Sequence, residues 1–137
     1  MSKQFNDGRA LSEAILKGAN VLADNVVSTL GPRGRNVILQ EKGKAPIVTK
    51  DGVTIASFID LDDPFENLGA QIIKQASQQT ATQAGDGTTT SIVLSRALLR
   101  EAQKYIISGV SPVEMKRGMD KAVESIVAKL EIGRAHV

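Results

Sequence analysis

The stretch Asp63–Thr80, DPFENLGAQIIKQASQQT, decides the fold. It opens on an aspartate, a good helix cap, followed by Pro64, whose missing N–H has no partner to lose at the first helical position. Glu66 stands three residues after the cap, the spacing at which a glutamate can answer the cap reciprocally. Phe65, Leu68, Ile72 and Ala76 then recur at intervals of three and four, which predicts a helix from Pro64 to about Thr82 with those four residues inward. The same signature returns at Ser111-Pro112-Val113-Glu114. It predicts a helix running to Leu130, with Met115, Met119, Ala122, Ile126 and Leu130 on one face.

The remaining segments agree with a mainly α chain carrying one hairpin. From Arg9 to Leu30, Leu11, Ile15, Gly18, Leu22, Val26 and Leu30 form one helical stripe, and Gly31-Pro32 supplies the stop. Asn36–Gln40 and Ala45–Thr49 are β-branched runs around EKGK, which predicts a β-hairpin. KDGVTIA then turns into a short helix, and Gly87 to about Ile107 forms another. Residues 1–6, with Phe5, suggest a short N-terminal strand or arm. The last seven residues, EIGRAHV, place Gly133 after a good helical pattern and match the translation of a common short-read sequencing adapter. Residues 132–137 are therefore expected to be a read-through tail rather than native chain, with a frayed natural terminus as the alternative, and His136 then carries no meaning.

Composition narrows the function classes. The 137 residues suit one ordinary domain, and 42% apolar content with 3% aromatics calls for an aliphatic core. The absence of cysteine removes disulfides, thiolate zinc sites and cysteine nucleophiles together, and fits a reducing compartment. A net charge of +2 without a long basic run argues against nucleic-acid binding. No apolar run approaches the roughly 20 residues that span a bilayer, and no signal pattern opens the chain, so a cytoplasmic location is expected.

Three glycine-bearing loops fall between elements: TLGPRGRN (Thr29–Asn36), TKDG (Thr49–Gly52) and AGDGTTT (Ala84–Thr90). None is a Walker loop or a dinucleotide fingerprint. A helix beginning at Gly87 nevertheless leaves its first N–H groups unpaired and its dipole's positive end outward. Bare backbone at Gly85 and Gly87 lets an anion approach, and Thr88, Thr89 and Thr90 add hydroxyl donors. Asp86 would repel a bare phosphate, so its presence argues for a Mg2+ ion between the two. Asp86 as a simple helix cap is the other reading. Three consecutive β-branched residues at a helix start cost propensity that capping does not require, which favours the metal. Taken alone, TLGPRG also reads as a helix stop, and TKDG as a turn with Asp51 as cap.

In this order, NVLAD, TLGPRGRNV, TKDGVTIA, FENLGAQ, AGDGTTT and MKRGMDKAV resemble the start of a group I chaperonin subunit of the GroEL type, collinearly from about Phe5 to Leu130. The resemblance implies that residues 1–131 are the N-terminal part of the helical equatorial ATPase domain. It also implies that the hairpin is the stem loop that pairs with a neighbouring subunit. Carried over by position, Thr29, Leu30, Gly31 and Pro32 wrap the ATP, while Lys50, Asp51 and Gly52 lie at its phosphates. Asp86 binds Mg2+, and Gly87, Thr88, Thr89 and Thr90 cradle the phosphates. Backbone oxygens of Thr29 and Lys50 lie near a K+ ion, and Asp51 helps orient or activate the attacking water. Arg33 replaces a usual lysine, Thr82 a usual acidic residue of an inter-domain ion pair, and Pro64 a usual charged residue.

By the same resemblance, the second catalytic aspartate, the hinge domain and the apical domain would lie beyond residue 130. The implied function is ATP-dependent protein folding by a homo-oligomeric ring, heptameric and single or double. It would act on unfolded proteins with a GroES-type co-chaperonin, and without nucleic acid or membrane. The residues present here are expected to be inactive alone. A stand-alone Mg2+-dependent phosphohydrolase, or a non-catalytic fragment that only binds partners, are the alternatives.

Overall fold

The computed structural model describes residues 8–135, so the expected N-terminal strand and His136 lie outside the described residues. The described chain is mainly helical, with five helices and one two-stranded antiparallel hairpin. Its elements are α1 (Gly8–Val27), β1 (Val37–Leu39), β2 (Ile47–Thr49), α2 (Gly52–Phe58), α3 (Pro64–Ala84), α4 (Thr88–Ile107) and α5 (Pro112–Ala135). Two compact units divide at Arg100/Glu101. None of the described helices is long and apolar enough to cross a membrane.

In the first unit, α1 packs on α3 through glycines. A Cβ built on Gly18 would fall 1.7 Å from the Glu66 carbonyl oxygen, and one on Gly69 would fall 1.9 Å from that of Ile15. Backbone therefore lies against backbone. The aliphatic core grows from this crossing: Ala19, Leu22, Ala23 and Val26 of α1 meet Ala70 and Ile73 of α3, Ile55 and Ala56 of α2, Ile92 of α4 and Leu39 of β1. At the rim, Lys17 Nζ donates to Glu66 Oε1 at 2.5 Å. That hydrogen bond, with the charge of Glu66, raises the Lys17 pKa. The bridge therefore holds at neutral pH and is lost as pH rises through the raised value.

The crossing corrects the predicted inward face of α3. The buried residues are Gly69, Ala70, Ile73 and Ser77, while Leu68 and Ile72 are 46% and 45% exposed. Small side chains allow the close approach, so the helix turns them inward and leaves the larger pair at the flank. The start of α3 is as predicted in its cap and proline: Asp63 Oδ1 accepts from the N–H groups of Phe65 and Glu66, both at 2.9 Å. Glu66, however, reaches across to Lys17 rather than back to the cap.

Two helix ends also differ from expectation. α1 stops at Val27 rather than Leu30, because local side chains compete for its last carbonyls. Ser28 Oγ donates to Asn25 O at 3.0 Å and Thr29 Oγ1 to Val26 O at 2.7 Å. Gly31 adopts the left-handed φ of 79° anticipated for the stop, four residues past the helix. In the second unit, α5 continues through Gly133 to Ala135 instead of ending at Leu130. No described α5 residue is buried; Met115 and Met119 are half-buried, and Ala122, Ile126 and Leu130 of the expected inward stripe are exposed. The hairpin pairs Val37 with Thr49, Ile38 with Val48 and Leu39 with Ile47, inside the expected runs.

Gly69→Ala should force the α1 and α3 backbones apart. Overpacking of this kind costs about 1–3 kcal/mol, so the urea midpoint followed by far-UV circular dichroism should fall. An unchanged midpoint would mean that the crossing is not tight.

Candidate functional site

The three glycine loops are built by different local rules. Loop 28–35 closes on itself: Arg35 N–H donates to Ser28 O and Gly34 N–H to Gly31 O, both at 2.9 Å. Thr29 is buried, and its hydroxyl is committed to Val26 O. Its own carbonyl lies against Gly34, where an added Cβ would come within 2.1 Å of it. Leu30, Gly31 and Pro32 are exposed.

In the second loop, Thr49 Oγ1 accepts from Asp51 N–H at 3.0 Å and folds the turn that carries Lys50. Asp51 caps α2: its Oδ2 accepts from Thr54 N–H at 2.9 Å and from Thr54 Oγ1 at 2.5 Å. Lys50 and Asp51 are exposed, whereas Gly52 is buried.

The third loop joins α3 to α4. Gly85 ends α3 with φ 70°, and Gly87 follows with φ 78°, conformations that favour glycine. Between them Asp86 is exposed, and its Oδ1 accepts from Gly87 N–H at 2.6 Å. This is not a helix cap, since the bond goes to the residue before the helix. α4 starts at Thr88, one residue later than expected, and its first turn closes from Ser91 N–H to Gly87 O at 2.9 Å. The N–H groups of Thr88, Thr89 and Thr90 therefore precede the intrahelical ladder, as helix starts require.

Long-range packing brings two of these loops together. A Cβ on Gly52 would stand 2.3 Å from Thr89 Oγ1 and 3.1 Å from Val26 Cγ1. The start of α2, the start of α4 and the last buried residue of α1 thus meet at one point. Leu30, Gly31 and Pro32 are not among the atoms of that contact. Sequence reasoning missed Thr54, which engages Asp51, and Thr80, which holds α4 through Ser91. The Asp51-x-x-Thr54 spacing was a usable signal for the first. Thr82 turns its hydroxyl to Gln78 O of its own helix at 3.0 Å.

No group of three or more His, Asp or Glu side chains gathers as a metal cage among the described residues. A lone exposed carboxylate such as Asp86 suits a cation that brings its remaining oxygens from phosphate and water, the habit of Mg2+. A model of the TCP-1/cpn60 chaperonin family matches residues 22–136. The chain belongs to this family. For full-length chaperonins, that membership implies binding of ATP and Mg2+, ATP hydrolysis, ring assembly and the folding of substrate proteins.

In this chaperonin chain the Asp51 carboxyl is held below the usual carboxylate range, first by the Thr54 hydroxyl and then by the Thr54 N–H. A carboxylate stabilised this way is a weaker base than an ordinary aspartate. It offers a fixed charge and an acceptor for orienting a polar molecule more than it offers proton abstraction. Its contribution to stability is full above the unfolded-state pKa and is lost as pH falls through the lowered folded value. Thr54→Val should move the Asp51 pKa upward in a carboxyl carbon NMR titration and shift acid unfolding to higher pH. An unmoved titration would show that the hydroxyl bond does not hold the carboxylate.

Proposed function

We propose that residues 1–131 are the N-terminal part of the equatorial ATP-binding domain of a group I, GroEL-type chaperonin. In this reading the glycine loops form one wall of a Mg-ATP site, and 132–137 are foreign to the protein. The observation that supports it is the approach of Gly52 to Thr89, since two separate motifs with phosphate-binding chemistry adjoin.

Each residue has a role in this proposal. Gly87–Thr90 offer backbone and hydroxyl donors to the phosphates, at a helix start whose dipole favours anions. Asp86 would hold Mg2+, which supplies charge neutralisation at the phosphate oxygens. Lys50 adds a positive charge beside them, and Gly52 keeps the backbone close. Asp51, already ionised, orients the attacking water. Phosphoryl transfer demands mostly positioning and electrostatics, which are the things this wall can provide. Thr29–Pro32 line the nucleotide, and the carbonyls of Thr29 and Lys50 are the candidate K+ ligands.

The full-length subunit would assemble in seven-membered rings, single or double, in the cytoplasm. There it would refold unfolded polypeptides with a GroES-type co-chaperonin, and the hairpin would pair with a neighbouring subunit.

Asp86→Ala in the full-length protein should reduce Mg-ATP hydrolysis to background while the far-UV circular dichroism spectrum is preserved. Hydrolysis at the wild-type rate would exclude Asp86 as the metal ligand.

A further inference from the structure

The face of α3 that meets the start of α4 carries hydroxyls. Ser77, only 1% exposed, places Oγ 3.4 Å from the Thr88 carbonyl. Thr80 Oγ1 stands 3.0 Å from Ser91 Oγ and 3.0 Å from the Ala76 carbonyl. A threonine hydroxyl has one proton for these two bonds, so the Ser91 hydroxyl supplies the second. The methyl of the same side chain faces the other end of the loop: a Cβ built on Gly87 would lie 3.9 Å from Thr80 Cγ2. Thr80 therefore holds the residue that follows Thr88–Thr90, while Ser77 holds the carbonyl at their start.

Nothing in α3 itself calls for this residue. A β-branched side chain within a helix lowers propensity, and a bond back to the i−4 carbonyl does not repair the loss. The compensation lies in α4. We propose that Thr80 is a positioning residue of the nucleotide site, with Ser91 as its partner and Ser77 as a second anchor at the Thr88 carbonyl. This rests on the reading of Gly87–Thr90 as a phosphate cradle. Thr80 makes no contact with the phosphates; it fixes the direction in which the N–H groups of Thr88, Thr89 and Thr90 point. A first turn already held at both ends has little freedom left to lose when phosphate arrives, whereas a loosened one must be ordered at the expense of binding. The effect therefore falls on Mg-ATP affinity rather than on the chemical step.

The test uses the full-length protein and three substitutions: Thr80→Val, which keeps shape and removes the hydroxyl; Thr80→Ser, which keeps the hydroxyl; and Ser91→Ala. Mg-ATP binding is titrated calorimetrically below each variant's thermal midpoint, and kcat and KM are measured beside it. Thr80→Val and Ser91→Ala should each weaken binding about fivefold, the worth of one net hydrogen bond. KM should rise with kcat unchanged, the double variant should be no weaker than either single one, and Thr80→Ser should retain the wild-type affinity. Wild-type affinity in Thr80→Val, or additive losses in the double variant, would overturn the positioning role while leaving the nucleotide site standing. A wild-type protein that binds no Mg-ATP would remove the site and this role together.

Discussion

The first unit depends on two helices whose backbones touch. At Gly18 and Gly69 there is no room for a single carbon, because carbonyl oxygens of the partner helix occupy the space. Ile15 faces Gly69 and Gly18 faces Glu66, so the two chains run in opposite directions at the contact. This proximity lets Leu22 and Val26 reach Ile73, Ile55 and Ile92 in one cluster whose buried members are all aliphatic, with Phe58 packed against its edge. Aliphatic cores of this kind tolerate little separation, since each lost contact leaves a void too small for water. The Lys17–Glu66 bridge spans the same crossing, but an exposed ammonium in water adds orientation more than energy.

Val26 carries the consequence of that packing to the glycine loops. Its side chain is in the core, and its carbonyl receives both the N–H and the hydroxyl of Thr29, which ends α1 and begins loop 28–35. One of its methyls lies beside Gly52. The same residue therefore fixes where the helix stops and how closely α2 can start. On the other side Ile92, one turn into α4, is fully buried in the cluster and holds the Thr88–Thr90 turn near Gly52. Most loop residues, Leu30, Gly31, Pro32, Lys50, Asp51 and Asp86 among them, are exposed, but Val26 and Ile92, which aim the loops, are not.

Local chemistry was the legible part of this fold. Asp63-Pro64 announced α3, the β-branched runs around EKGK announced the hairpin, and Asp51 was open to reading as a cap because its side chain acts on its own next turn. What escaped were properties set by a distant partner. The inward face of α3 follows from small residues meeting on two helices, so the large Leu68 and Ile72 pointed to the wrong stripe. The end of α1 turned on a contest between Thr29 and the helix for one carbonyl. The helical state of Gly133 shows that a single glycine weakens a helix without obliging it to stop. For the candidate site, the motifs were visible as three separate loops, while the meeting of Gly52 with Thr89 needed the fold.

That meeting separates two kinds of glycine in one chain. Beside Gly18 and Gly69 lies backbone, which cannot yield without moving a helix, so those positions specify the fold. Beside Gly52 lies the hydroxyl end of Thr89, which can rotate about one bond, and a methyl of Val26 at a tight but less severe distance. A side chain at Gly52 would therefore turn the Thr89 hydroxyl before it disturbed the core. The core would keep its cluster while the Thr89 hydroxyl lost its present orientation. The constraint at Gly52 therefore falls first on the orientation of one hydroxyl and only then on the packing of the unit.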